Sequence, residues 1–79
     1  MKELRERLRI ARCVLRELSR QNLSRCELTR RAIQRGGSYA SFNSIFAYLI
    51  AEGYVEKGGV ELRAPYRITD RGLRLLEAF

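Results

Sequence analysis

Leu4, Leu8, Ala11, Leu15 and Leu18 step by four and three residues along the start of the chain, and Ile10 and Val14 widen that stripe. The spacing predicts one amphipathic helix over about residues 2–20. Its apolar arc is wider than a small core needs from a single helix. Arg5, Arg9, Arg12 and Arg16 recur at the same period on a different face, with Lys2 and Arg20 at its ends, while Glu3, Glu6 and Glu17 form an acidic edge. Such a stripe is either a solvated face or a phosphate contact. Cys13 falls on the polar side, away from the leucines.

Ser24 followed by Glu27 has the form of a capping box, with Leu23 and Leu28 spaced as a hydrophobic staple across it. A second helix is expected over about 25–33, with Leu28, Ala32 and Ile33 turned inward and Gly36-Gly37 ending it. Ser38 is the expected N-cap of a third helix over about 39–52. Phe42, Ile45, Phe46, Leu49 and Ile50 make its inward face. Its outward positions, Ala40, Asn43, Ser44, Ala47, Tyr48 and Ala51, carry no charge before Glu52. A face of small neutral side chains can lie close against another surface; the plain alternative is a helix packed on both sides.

Gly53 stops that helix, and residues 54–68 read as a β-hairpin. Tyr54 to Lys57 forms one strand, Gly58-Gly59 and Val60 to Ala64 the connection, and Tyr66-Arg67-Ile68 the other strand. Pro65 stands at a strand start, where its missing amide is tolerated. Thr69 caps a last helix over about 70–79, with Asp70 rightly placed in its first turn. Gly72, Leu73, Leu76 and Phe79 are expected to face inward, with Leu75 at the edge.

Composition turns this pattern toward a partner. Seventy-nine residues make one small domain, 46% hydrophobic, with 16 Lys and Arg against 9 Asp and Glu and a formal charge of +7. Such an excess opposes compaction and is usually retained for a polyanion. Fourteen of the 16 cations are Arg, suited to planar, bidentate contacts. There is no His, and Cys13 and Cys26 cannot make a four-ligand metal site. The glycine doublets form no phosphate cradle, and the carboxylates sit beside arginines as solvated ion pairs. No enzyme, metal, cofactor or small-molecule ligand is expected. No apolar run reaches the length of a membrane span and no signal-peptide core follows the charged start, so a cytoplasmic protein is expected. Both thiols are expected reduced, a disulfide being the alternative found in hyperthermophilic archaea.

Helix, helix, tight turn, helix, hairpin, helix is the order of an α+β, mostly α, winged helix-turn-helix with a three-helix core. Leu49, Gly53-Tyr54-Val55 and Tyr66-Arg67-Ile68-Thr69-Asp70-Arg71-Gly72-Leu73-Arg74-Leu75-Leu76 carry a more specific likeness. They resemble the "L…G-L-I…Y-x-L-T-x-x-G-x-x-L-L" ending of archaeal single-domain winged-helix transcription regulators, including small ones encoded by archaeal viruses. Residues 1–37 match by pattern only. The resemblance implies inward-pointing aromatic and aliphatic side chains on the last strand, a Thr cap, and a glycine that lets the final helix approach the sheet. It further implies sequence-specific binding to double-stranded DNA as a homodimer, with the third helix in the major groove and the hairpin as wing. A viral protein would act in the host cytoplasm. The chain departs from many relatives in offering no Arg or Lys between Arg35 and Lys57, so guanine reading by the third helix is not expected.

On that reading Ser38, Tyr39, Ala40, Ser41, Asn43, Ser44, Ala47 and Tyr48 form the groove surface. Asn43 is the adenine reader, and Ala40, Ala47 or Tyr48 meets a thymine methyl. Arg30, Arg31 and Arg35 flank the turn as phosphate contacts, and Lys57 and Arg63 serve the wing. Leu4, Leu8, Leu75 and Phe79 are the expected dimer contacts. The competing reading is a winged-helix protein-interaction module without sequence-specific DNA binding. RNA binding is weaker, with only Tyr39 and Tyr48 free to stack.

Overall fold

The computed structural model describes residues 2–79, with side chains described from Leu4 onward. The side chains of Lys2 and Glu3, assigned above to helix faces, lie outside the described residues. Helix α1 runs Lys2–Arg20, α2 Arg25–Gln34, α3 Tyr39–Ala51 and α4 Asp70–Ala78; strands β1 and β2 are Val55–Lys57 and Tyr66–Ile68. The strands pair antiparallel, Val55 opposite Ile68 and Lys57 opposite Tyr66. Among the described residues this is a mostly helical α+β domain of four helices and one hairpin, a layout compatible with a winged helix.

Local chemistry accounts for where these elements begin. Ser24, Ser38 and Thr69 each hold extended backbone and accept a hydrogen bond from the amide three residues on, at Glu27, Ser41 and Gly72. The capping box at Ser24 is only half made. Glu27 donates its amide to Ser24 Oγ, but its carboxylate turns to Arg30 and Arg31 instead of reaching back. Gly36 and Gly53 close α2 and α3 at φ of 93° and 77°, a region that costs a side-chain-bearing residue energy.

α1 lies against α2, α3, α4 and β2, and the core forms along it. Val14, Leu15, Leu28, Phe42, Phe46, Leu49 and Val55 are almost wholly enclosed. Burying a side chain of this size stabilises the fold by about 1.5–3 kcal/mol. Phe42 and Phe46 stack at 5.3 Å between ring centroids, and Tyr66 meets Phe46 edge-on at 4.8 Å. Leu23 adds one rung beside the hairpin, exchanging backbone bonds of 3.2 and 2.7 Å with Tyr66. That rung ties the α1–α2 connection to β2.

Several expected burials are corrected. Cys13 is buried, not polar-facing, because α1 is covered on its α2 side as well as along its leucine stripe. Ile33, expected inward, is only half-buried and stays outside the core, and Ile50 lies just outside the enclosed arc of α3; Leu4 and Leu8, expected as dimer contacts, are about half exposed. On α4, Leu75 packs with Leu76 against the core instead of sitting at an edge, while Leu73 and Phe79 are exposed. Gly72 is buried where α4 crosses the hairpin. A Cβ there would collide with the Tyr54 carbonyl oxygen and come within 2.6 Å of Ile68 Cγ1.

Candidate nucleic-acid interface

α2 and α3 meet across the turn at Gly36-Gly37, and a cleft of about 580 Å³ runs between them. Its α2 wall includes Arg25, Cys26, Arg30 and Ile33, and its α3 wall is Tyr39 and Asn43. Beyond this cleft, Ala40, Ser44, Ala47 and Ala51 step by four, three and four along the side of α3 opposite its buried Phe42, Ile45, Phe46 and Leu49. The outermost strip of α3 is therefore small and uncharged, as its sequence indicates. Tyr39 is 66% exposed at the first turn, and Tyr48 lies on the opposite flank at 6.3 Å from the Tyr54 ring. Ser38 is engaged as the cap, and Ser41 is half-buried. The expected groove residues thus divide between an outward strip and two flanks.

Asn43 is not a free amide. Its Oδ1 accepts a hydrogen bond of 3.0 Å from Arg25 Nη2, and the Arg25 guanidinium also lies over the Phe46 ring at 5.2 Å. Arg25 supplies the cation that α3 lacks. The sequence signals nothing of this pairing, because the two residues are 18 positions apart and meet only when the start of α2 docks beside the middle of α3. An arginine directly after a cap otherwise reads as a solvated first-turn residue.

The three arginines assigned to phosphate are mostly occupied. Glu17 of α1, 6% exposed, is the one charged side chain buried among the described residues. Its Oε2 accepts from Arg31 Nη1 at 2.9 Å, and its Oε1 lies 3.6 Å from Arg35 Nη2. Arg30 pairs with Glu27 at 2.9 Å but remains largely exposed. Glu17 is thus an interhelical tether, not part of a solvated edge. Solvent reaches half of the Arg35 side chain, so its outer face stays accessible.

On the hairpin, Lys57 Nζ donates to the Leu62 carbonyl at 3.2 Å, folding that side chain back over its own connection, while Arg63 is exposed. Arg67 binds Glu56 across the strands. The basic groups assigned to DNA, with Arg25, fall into three places: the α2–α3 cleft, the α1–α2 side and the hairpin tip.

The chain matches no protein-family model, no curated protein and no solved structure. Among the described residues, no helix is long and apolar enough to cross a membrane, and no three Cys, Asp or Glu residues gather as a metal site would require. Both cysteines are free thiols. Burial pushes the Cys13 thiol above its ordinary range, with Arg35 acting in the opposite direction.

Proposed function

We propose that this chain is a winged-helix transcription regulator that binds double-stranded DNA, with α3 in the major groove and the β1–β2 hairpin as the wing. The observation that carries the reading is the α2–turn–α3 unit. A strip of Ala and Ser side chains permits close approach to base edges, and the Arg25–Asn43 pair stands at its margin. Asn43 Oδ1 has a second lone pair, and its amide nitrogen remains to donate, the combination that adenine N6 and N7 take up. Arg25 adds a guanine reader from α2 where α3 has none. Arg30 and the outer face of Arg35 reach phosphate on one side of this strip, and Arg63 does so from the wing. The +7 charge and the resemblance to archaeal regulators support the same reading.

The operator-bound form is a homodimer in this proposal. Leu4 and Leu8 on α1 and Phe79 at the end of α4 stay exposed on two helices that contact each other. Leu75 contributes from beneath, since its side chain also serves the core. A two-fold dimer through this surface would cover apolar area that a small domain leaves open and present two α3 helices to successive half-sites.

The test is binding of labelled duplex DNA over a salt series, followed by selection from random duplexes. Phosphate contact requires log affinity to fall linearly with log salt, by about 0.9 for each phosphate engaged. Selection should return one recurring site. Absence of duplex binding at about 50 mM salt would overturn the proposal in favour of a protein-interaction module.

A further inference from the structure

On the side of α2 away from α3, a second cleft of about 260 Å³ opens between α1 and the end of α2. Arg9, Arg12 and Arg16 line it from α1 and Arg35 from α2, with Cys13 at its base. Among the described residues, Arg9, Arg12 and Arg16 form no ion pair, although Glu6 lies half-buried one turn before Arg9. Like charges three and four apart on one helix repel each other. No carboxylate is among the residues lining the cleft. Glu17 is directed to the neighbouring α1–α2 contact and is already held by Arg31 and Arg35. Arg35 borders both places and joins this cleft to the basic side of α2. Four arginines thus line one recess that no carboxylate lines, a chemistry suited to oxygen anions, although Arg35 is shared with Glu17.

We propose that this α1–α2 arginine cleft is a second phosphate-binding surface, which takes the sugar-phosphate backbone of DNA outside the segment occupied by α3. The inference rests on the duplex-binding reading above and extends it. α2 separates the two clefts, so a short straight duplex seated on α3 does not fill both. The phosphates come from the flanks of the same duplex, bent around α2, or from a second duplex.

Anisotropy titrations over salt with duplexes of about 12 and about 40 base pairs test this, using Arg12→Gln/Arg16→Gln. A control, Arg7→Gln/Arg74→Gln, removes the same charge elsewhere. With about 0.9 in slope per phosphate, the cleft variant should flatten the log–log slope by about two per protomer on the long duplex. Arg12→Lys/Arg16→Lys should retain most of it. If the flanks of one duplex supply the phosphates, the short duplex keeps its slope. If a second duplex does, both lengths lose slope, and the wild-type protein bridges two labelled duplexes where the variant does not. Equal flattening by the control, or no change in the cleft variant while duplex binding persists, would overturn the inference and leave the α3 reading intact. Failure of the wild-type protein to bind any duplex would overturn both. Thermal melts of each variant verify that all remain folded.

Discussion

Glu17→Gln keeps the size of the buried side chain and one acceptor for Arg31 but removes its charge. Severing a fully buried ion pair costs about 3–5 kcal/mol because the surviving charge is left without water. Here the cations are not fully buried: the Arg31 side chain is 32% exposed and that of Arg35 53%, so solvent stabilises both once released. The amide also turns donors toward a guanidinium that has only donors. We expect a loss of about 1–2 kcal/mol, which for a domain of this size lowers Tm by about 5–15 °C. Duplex affinity should move the other way. A negative charge disappears beside two arginines, and both are freed toward phosphate, so folded protein should bind about 2- to 5-fold more tightly at low salt. The assay pairs a thermal or urea melt with DNA titration of the same variant, well below its midpoint. An unchanged melt would refute the tether. Weaker DNA binding by the folded variant would refute the claim that Glu17 competes with phosphate.

Gly72→Ala should destabilise by about 1–3 kcal/mol in a urea melt despite the better helix propensity of Ala, because the new methyl meets the Tyr54 backbone. A stabilised variant would contradict the close α4–hairpin crossing. Alkylation under native conditions should modify exposed Cys26 quickly and buried Cys13 only on unfolding. Because the folded Cys13 thiol titrates above its unfolded value, its share of stability is intact at neutral pH and is lost as pH rises past about 9. Cys13→Ala should reduce that alkaline loss in pH-dependent melts. Sedimentation at high micromolar concentration should find a dimer, and Leu4→Ser/Leu8→Ser should return it to monomer without lowering helix content. A wild-type monomer under those conditions would remove the proposed interface.

What the sequence made legible was chiefly what neighbouring residues decide among themselves. Ser24, Ser38 and Thr69 announce helix starts within three residues, and the stop at Gly53 is equally local. Most of the inward faces of α2 and α3 follow from period, Leu28, Ala32, Phe42, Ile45, Phe46 and Leu49 all being buried, while Ile33 and Ile50 at the edges of those faces are not. α1 was harder to read, since contact with α2, α3, α4 and β2 encloses Cys13 and Glu17, residues that a single stripe assigns to its polar side. On α4, a helix of nine residues, one step of rotation decides between Leu73 and Leu75, and the close approach at Gly72 sets it. The exposed, uncharged strip of α3, the surface proposed to meet DNA, was legible from spacing. The electrostatics of the site were not: Glu17 with Arg31 and Arg35, and Arg25 with Asn43, are pairings 14 to 18 residues apart that depend on how whole helices dock.

The central claim is that α3 reads base sequence, and Asn43→Ala tests it most directly. Affinities of the wild-type protein and the variant are measured on the selected operator and on an unrelated duplex of equal length, at one salt concentration. A loss of about 1–3 kcal/mol is expected on the operator, with the unrelated duplex bound as before, since phosphate carries no sequence information. Equal weakening on both duplexes, or no change on either, would contradict the claim.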